Sequence, residues 1–208
     1  MSRGRHAGAW NKVALGGDEQ FELKRKALLR EAARAFSANG YHATSLLDVA
    51  VTLGVTKTAL YHYVKSKQEI LLECHLMSLD LGDRAVAYSD RCGGTGRERI
   101  RCMTTRYLEL LTSELGSVAV LVEFNALTPE NRAIVAIRRD AFERHFRALV
   151  KRGIKDGSLR DTDPKLAVFF FMGAVNWLTQ WFKPSGEYTG EHIAAQFSEL
   201  LDEAIRAR

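Results

Sequence analysis

Four neighbouring side chains, at Lys57, Thr58, Tyr61 and His62, have the chemistry to contact a nucleic acid. Together they offer a cation, a hydroxyl beside a methyl group, a phenol and an imidazole. Such groups bind phosphate oxygens and base edges, and a threonine methyl can contact the methyl of thymine. If a helix presents all four to solvent, the sequence predicts a surface that binds DNA.

The residues before this set predict a short helix and a sharp turn. Thr44 and Ser45 are N-cap candidates, and Asp48 stands three residues after Ser45, as in a capping box. Gly54 should end the helix because glycine accepts a positive φ without steric cost. Between these ends, apolar side chains recur at helical spacing and form one stripe. The stripe consists of Leu46, Val49, Ala50 and Leu53.

A second helix should follow at once and carry the exposed set. Thr56 is its N-cap candidate, and Leu60, Tyr63 and Val64 continue a buried face at helical spacing. Residues 66–69 read S-x-x-E, a second capping box that opens a third helix. Two short helices joined by a glycine-containing turn are typical of the helix-turn-helix, whose second helix lies in the major groove. Periodicity alone also allows an ordinary helical hairpin.

The run from about Lys24 to His75 resembles the DNA-binding domain of TetR-family (tetracycline-repressor-like) regulators. The matching pieces are AARAFSANGYHATSLLDVA, GVTKTALYHYVKSK and QEILLECH. The sequence departs at Val64, where many members carry Phe, but this position is on the buried face and concerns packing. The resemblance implies that the second helix approaches base edges while flanking residues hold the DNA backbone. The residues it assigns to DNA binding are Thr44, Ser45, Thr56, Lys57, Thr58, Tyr61, His62 and Lys67.

Composition and charge are compatible with a DNA-binding protein of the cytoplasm. The 208 residues carry a formal net charge of +5, and residues 1–75 hold 11 Lys and Arg against 7 Asp and Glu. The positive surplus therefore lies at the proposed DNA-binding end, where phosphate neutralisation requires it. The sequence shows neither a membrane span nor the apolar region of a signal peptide. We expect a cytoplasmic protein with no membrane partner.

The sequence contains no motif for a metal, a cofactor or a catalytic residue, so we expect no enzyme, no cofactor and no metal site. Its histidines do not cluster with cysteines and form no H-E-x-x-H motif. The three cysteines, Cys74, Cys92 and Cys102, form no C-x-x-C pair, which favours free thiols in a reducing compartment. A redox-sensing pair of Cys92 and Cys102 is the alternative.

The chain as a whole predicts an all-α fold, because it has only three prolines and is rich in helix-forming residues. Residues 1–20 should be a flexible basic arm, either a plain leader or one whose basic residues touch DNA. A three-helix helix-turn-helix domain should span residues 21–68. A larger helical domain for ligand binding and dimerisation should span residues 69–208.

The last two helices are predicted to form a homodimer. Thr128-Pro129 and Asp163-Pro164 each place an N-cap before a proline, which is a strong helix start. The helix after Asp163 is apolar all round, which favours burial between its own core and another subunit. It can pair with the last helix and with their two copies about a two-fold axis. In TetR-like proteins the last two long helices make the homodimer, so the resemblance implies the same.

The resemblance also implies a ligand pocket in the helices that precede the dimer interface. The ending NWLTQWFKPSGEYTGEHIAAQFSELL resembles the branch of the family that responds to fatty-acyl-CoA or other CoA thioesters. Apolar bulk with a few polar groups is the make-up of such a pocket, although each residue alone also fits plain core. Arg138 and Arg139 are candidates for the CoA phosphates, although an arginine-rich face is usually only solvated. The candidate ligand-binding residues are Tyr107, Phe124, Asn125, Phe142, Phe146, Met172, Asn176 and Trp177.

These features predict a ligand-responsive transcriptional regulator, a repressor by family default. It should bind a palindromic operator in double-stranded DNA as a homodimer and leave it when a hydrophobic effector, such as an acyl-CoA, binds. One alternative is a ligand-independent DNA-binding protein, which a solidly packed C-terminal domain would favour. The other is a CoA- or lipid-binding enzyme with an accessory DNA-binding domain, which no nucleophile-base pair or cofactor motif supports.

Overall fold

The computed structural model describes residues 17–114 and 119–207, and their regular structure is almost entirely α-helical. In this part of the chain, β-type pairing is limited to an isolated bridge between Leu159 and Arg206. The prediction of an all-α fold is confirmed. Most of the predicted basic arm, with Arg3, Arg5 and Lys12, lies outside the described residues.

The described residues form eight α-helices and one 3-10 segment. The first helix begins at Gly17 rather than near Phe21, so the last residues of the predicted arm are helical. The start predicted at Thr128-Pro129 is confirmed, because the Thr128 hydroxyl accepts a hydrogen bond from Asn131 N at 3.3 Å. The elements are α1 Gly17–Asn39, α2 Leu46–Leu53, α3 Lys57–Tyr61, α4 Lys67–Cys92, α5 Gly96–Glu114, the 3-10 segment Ala119–Ala126, α6 Pro129–Lys155, α7 Pro164–Trp181 and α8 Gly190–Ile205.

The chain divides into two compact units. Among the described residues, the first unit holds 17–77 and 119–133, and the second holds 78–114 and 134–207. The boundary between 68 and 69 inferred from the sequence stays a prediction. The sequence did not indicate that the 3-10 segment, far along the chain, belongs to the same unit as the helix-turn-helix.

The core of the first unit is built from the apolar stripes of α1 to α4. Phe36 and Leu60 are completely buried, because α1 and α3 both direct these side chains inward. Burying such a side chain contributes about 1.5–3 kcal/mol, so these stripes hold the two short helices α2 and α3 in fixed positions. The other fully buried side chains are Leu28, Ala32, Val49, Ala50, Ile70, Leu71 and Cys74.

The second unit is held together by close contacts at the start of α5. An ideal Cβ on Gly96 would lie only 2.2 Å from the backbone nitrogen of Gly153, so α5 and α6 approach closely here. The backbone N–H of Gly96 donates to the Asp156 carboxylate at 2.7 Å. Helix α5 also packs against α8, where the Arg97 guanidinium donates to both carboxylate oxygens of Asp202 at 2.7 and 2.6 Å.

Helix α7 has two apolar faces, as its sequence predicts. One face is buried and consists of Val168, Phe171, Val175 and Leu178. The opposite face of this single chain is exposed although it is equally apolar. Its members include Leu166, Phe169, Phe170, Trp177 and Trp181. None of the described helices is long and apolar enough to cross a membrane.

The preferred interpretation of three free thiols is wrong. Cys92 and Cys102 form a disulfide with a Cα–Cα distance of 6.7 Å, which joins the end of α4 to α5. The third cysteine, Cys74, is buried, and burial raises the pKa of its thiol to about 12. The pair that the sequence offered as the alternative forms because two glycines turn the chain back between the two helices.

Candidate nucleic-acid interface

The capping box predicted at the start of α2 is present. Ser45 is the N-cap, with extended φ and ψ of −99° and 159°. Asp48 N–H donates to the Ser45 hydroxyl at 3.2 Å, and Ser45 N–H donates to the Asp48 carboxylate at 2.7 Å. Hydrogen bonds from the backbone and side chain of Ser45 hold the pKa of Asp48 below its usual value. This reciprocal bonding fixes the position at which the chain enters the helix-turn-helix.

Gly54 makes the turn between α2 and α3. Its φ of 70° and ψ of 31° lie in the left-handed region that favours glycine. The N–H of Gly54 donates to Val51 O at 3.1 Å, and Val55 N–H donates to Ala50 O at 3.0 Å, which satisfies the carbonyls at the end of α2. Thr56 then caps α3 by accepting from Ala59 N–H at 3.2 Å. The predicted helix-turn-helix is therefore confirmed.

Helix α3 is only five residues long and presents the predicted polar set to solvent. Leu60 is fully buried and Val64 follows it into the core, whereas Lys57, Thr58 and His62 are exposed. Tyr61 is 48% exposed, and its ring lies 6.0 Å from the Lys57 ammonium. One face of α3 thus anchors the helix, and the other is available for phosphates and base edges.

The exposed end of α3 borders an open cleft of about 440 Å³ in the first unit. The cleft brings together residues from the α1–α2 connection, α3 and the start of α4. Its lining includes two exposed residues that we did not assign to DNA binding from the sequence, His42 and Lys65. Lys65 directly precedes the second capping box, and its positive charge at that position was the sequence feature that could have identified it. The polar lining residues are His42, Thr44, Ser45, Lys57, Tyr61, Lys65, Ser66 and Lys67.

Thr44 does not present its side chain to this surface. It is 3% exposed, and its hydroxyl lies 3.1 Å from Ala35 O and 3.0 Å from Gly40 O. A hydroxyl has one hydrogen to donate, and both nearby acceptors are main-chain oxygens of the first unit. The structure therefore gives the Thr44 side chain a role in fixing the α1–α2 connection, while the phosphate contact of this residue stays a prediction.

Lys67 is held at the edge of the cleft by Tyr41. The Lys67 ammonium donates to the Tyr41 carbonyl oxygen and lies 4.1 Å from the centre of the Tyr41 ring. Partial burial lowers the pKa of Lys67, while the charges of Asp48 and Glu123 oppose that shift. Because an ammonium has three donors, the contact with Tyr41 orients Lys67 and leaves donors for a phosphate.

Gln68 and Glu123 support Lys67, and the sequence did not indicate either. The Gln68 amide donates to the Tyr41 hydroxyl at 2.9 Å and to Ala126 O at 2.7 Å. Its oxygen accepts from Thr128 N–H at 3.2 Å, and the Glu123 carboxylate accepts from Tyr41 N–H at 3.1 Å. These bonds connect the 3-10 segment to Tyr41, the residue that orients Lys67. No local motif encodes contacts between residues so far apart in sequence.

The chain matches two family models. One, described as bacterial regulatory proteins of the tetR family, covers residues 28–74 and includes the whole helix-turn-helix. The other, described as a tetracyclin repressor-like C-terminal domain, covers residues 93–205, more than half of the chain. The chain belongs to the tetR family of bacterial regulatory proteins. As a tetR-family protein it is a DNA-binding regulator of transcription.

Several relatives match this tetR-family chain over most of its length. The HTH-type transcriptional repressor KstR2 of Rhodococcus jostii is 27% identical over 184 residues, 86% of this chain and 89% of the relative. The crystal structure of PfmR from Thermus thermophilus has a TM-score of 0.75 and 32% identity, covering 85% of this chain and 97% of that one. The structure of AibR in complex with isovaleryl coenzyme A and operator DNA has a TM-score of 0.73 and 28% identity, with coverages of 85% and 96%.

The structure brings together only some of the predicted ligand-binding residues of this tetR-family chain. In the second unit, the rings of Tyr107 and Phe142 lie 5.3 Å apart, and those of Phe142 and Phe146 lie 6.4 Å apart. Tyr107 is buried, and desolvation raises its pKa to about 12, so its phenol stays neutral. Met172, on α7, is half-buried. The cluster of Tyr107, Phe142 and Phe146 is the group of predicted ligand-binding residues that lie together, and its role as a pocket wall stays a prediction.

The other candidates for ligand binding lie elsewhere. Phe124 and Asn125 belong to the first unit, where the Phe124 ring lies 6.3 Å from the His75 ring and Asn125 is exposed. Asn176 and Trp177 are exposed on the outer face of α7, and Trp177 is 66% exposed. Helical periodicity could not distinguish residues that line a pocket from residues on the outer surface, because α7 is apolar on every side.

The charged groups of the second unit also differ from the prediction. Arg138 forms ion pairs with Asp80 and Asp83, so its charge is already neutralised and it is a poor candidate for CoA phosphates. Two other arginines, Arg84 and Arg106, line an open cleft of about 990 Å³ in this unit. Within the described residues, no cluster of His, Cys, Asp and Glu has the make-up of a metal site.

Proposed function

We propose that this chain is a transcriptional repressor that binds a palindromic operator as a homodimer and releases it when a hydrophobic effector binds. The observation that carries the DNA-binding part is the exposed polar face of α3 beside the basic cleft. Two relatives support it, since one is named as a transcriptional repressor and another was solved with operator DNA.

Within this proposal the residues of the cleft have two kinds of role. Lys57, Lys65 and Lys67 supply sequence-independent attraction to phosphates, which falls as salt rises. Thr58, exposed on the same short helix, contacts base edges, where its methyl group suits thymine. Ser45 and Tyr61 border the cleft and hold the DNA backbone.

The two roles predict different outcomes for two substitutions. Lys57→Ala should weaken binding to all sequences alike and reduce the slope of log K against log salt by roughly one. Thr58→Ser removes only the methyl group, so it should change base preference at one position of each half-site. The difference in binding free energy between thymine and another base there should fall by at most about 3 kcal/mol. Lys151→Ala removes the same charge from an exposed site on α6 and is the matched control.

The measurement is fluorescence anisotropy with operator DNA selected from a random pool, titrated at several salt concentrations. A Lys57→Ala protein with the affinity and salt slope of the Lys151→Ala control would refute the role of α3. A base preference that no substitution of Thr58 changes would refute its assignment to base readout.

The exposed apolar face of α7 supports the homodimer. Phe170 and Trp177 are 68% and 66% exposed, and Leu200 on α8 is 64% exposed, although each is a large apolar side chain. Exposed patches of this kind mark interaction sites in soluble proteins. Two-fold pairing of α7 and α8 with their copies would cover the patch with the same residues from a second chain.

Two glutamate substitutions of matched exposure test this interface. Phe170→Glu places a charge in the proposed interface and should convert the dimer to a monomer. Ile137→Glu places a charge at an equally exposed apolar site on α6, 67% exposed, and should leave the dimer intact. Analytical ultracentrifugation distinguishes the two states, and a Phe170→Glu protein that still sediments as a dimer would exclude this interface.

The effector is proposed to be an acyl-CoA. The aromatic cluster of Tyr107, Phe142 and Phe146 offers an apolar wall for an acyl chain, and the relative AibR was solved with isovaleryl coenzyme A. An effector can release DNA only by binding more tightly to a dimer geometry that does not fit the operator. Short-chain acyl-CoA should therefore bind and release operator DNA, whereas free CoA should do neither at the same concentration.

Native mass spectrometry of the purified protein identifies any ligand that it retains, and anisotropy measures release. If no acyl-CoA binds, the acyl-CoA part of the proposal fails while the DNA-binding part stands. If neither ligand nor release is found and DNA still binds, the ligand-independent alternative is favoured.

A further inference from the structure

The disulfide between Cys92 and Cys102 lies in a part of the second unit that other contacts already hold in place. Thr95 and Glu98 form a capping box at the start of α5, with Thr95 N–H donating to Glu98 at 2.8 Å and Glu98 N–H to the Thr95 hydroxyl at 3.3 Å. The Gly96 N–H donates to Asp156 at 2.7 Å. These bonds do not involve sulfur, so they can hold the turn between α4 and α5 when the disulfide is reduced.

The chain between the two cysteines turns sharply through Gly93 and Gly94, with φ values of 69° and 78°. In this left-handed region a residue with a side chain is strained, so the two glycines favour the turn. The turn brings the Cα atoms of Cys92 and Cys102 to 6.7 Å, within the range that a disulfide spans. With the disulfide reduced, the two thiols would stay within reach of each other.

Both cysteines are also open to solvent. Cys92 is exposed and Cys102 is half-buried, and both line an open cleft of about 550 Å³. The charged residues of this cleft are Glu98, Arg101, Arg106 and Glu109, and Arg106 forms an ion pair with Glu109 at 3.0 Å. A peroxide or a small thiol can therefore reach the pair from the cleft. Cys74 is the opposite case, because its burial keeps the thiol protonated.

We propose that Cys92 and Cys102 are a reversible redox site that a peroxide oxidises and a small thiol reduces. The more exposed thiolate, Cys92, attacks the peroxide O–O bond, takes one oxygen as a sulfenic acid and releases an alcohol or water. The Cys102 thiol then attacks that sulfur, which forms the S–S bond and releases water. Two electrons pass from the two thiols to the peroxide. Reduction runs through a mixed disulfide with glutathione, and a second glutathione completes it.

The test counts reactive thiols in the full-length protein. The protein is reduced without oxygen, exposed to one equivalent of hydrogen peroxide, unfolded and alkylated with N-ethylmaleimide, and its intact mass is measured. The reduced chain should take three labels, one for each cysteine, and the oxidised chain only one, on Cys74. Treatment of the folded oxidised protein with glutathione should restore all three.

Variants separate this site from nonspecific oxidation and from a permanent structural bond. Cys74→Ala should lose two labels on oxidation like the wild type, whereas Cys92→Ser should form no internal disulfide. Peroxide treatment that leaves three labels, or that oxidises Cys92 without pairing it, overturns the proposal. So does a disulfide that glutathione cannot reduce in the folded chain. A double variant with Cys92→Ser and Cys102→Ser should keep the melting temperature of the reduced wild type, and its failure to fold would mean a structural bond and would likewise overturn the proposal.

Discussion

The geometry of the α2–α3 turn predicts that Gly54→Ala destabilises the helix-turn-helix through the backbone alone. Gly54 has φ and ψ of 70° and 31° and is exposed, so an alanine side chain there loses no packing and gains none. The left-handed conformation costs a residue with a Cβ about 1–2 kcal/mol. A loss of this size lowers the folded-to-unfolded ratio by a factor of about 5 to 30.

A graded pair of variants makes this prediction specific. Asparagine tolerates the left-handed region better than alanine does, so Gly54→Asn should be less destabilised than Gly54→Ala despite its larger side chain. Urea unfolding followed by circular dichroism measures both, and hydrogen exchange of the Val55 amide reports the turn itself, because that N–H donates to Ala50 O. If Gly54→Ala is as stable as the wild type, or more stable than Gly54→Asn, the argument from φ is wrong.

Three further predictions concern stability. Gly96→Ala should lower the free energy of unfolding by about 1–3 kcal/mol, because its Cβ would lie 2.2 Å from the Gly153 nitrogen. Gly17→Ala is the control and should change the melting temperature little, because nothing lies within 4 Å of its added Cβ. Equal effects of the two substitutions would contradict the close approach of Gly96 to Gly153. Gln68→Met keeps the side-chain size but leaves hydrogen-bonding partners unsatisfied, so thermal unfolding should show a loss of about 1–3 kcal/mol; a neutral result would mean that these bonds do not form in solution. The lowered pKa of Asp48 means that its carboxylate stabilises the fold above the ordinary aspartate pKa of about 3.9. That contribution is lost as pH falls through the lowered pKa, so the stability difference between the wild type and Asp48→Asn should shrink on acidification, and a growing difference would contradict it.

Local sequence signals predicted the helix-turn-helix well because its determinants are near neighbours. The Ser45–Asp48 capping box and the turn at Gly54 each depend on residues within five positions of one another. The same signals could not separate Thr44 from Ser45, since both are hydroxyl residues at a helix start. Only the packed structure shows that one hydroxyl caps α2 while the other is buried against main-chain oxygens.

The parts that the sequence could not predict depend on contacts between residues far apart in the chain, or lie in segments whose apolar residues show no clear helical spacing. The segment at 119–126 is apolar without a clear helical period, and its link to Tyr41 through Glu123 spans 82 residues. Helix α7 is apolar on every side, so its periodicity could not separate Trp177, on the outer face, from the lining of a pocket. The pairing of Cys92 with Cys102 follows from the turn at the two glycines, not from any cysteine motif.

The central claim is that the exposed face of α3 reads DNA as one half of a symmetric pair. The most direct measurement is repeated selection of bound duplexes from a random pool by the full-length protein, followed by sequencing. We expect enrichment of an inverted repeat whose half-site centres lie about 10 base pairs apart, or a multiple of that spacing. Under the same conditions Lys57→Ala should enrich the same repeat more weakly. Failure to enrich any sequence, or enrichment of a single unrepeated site, would contradict the account.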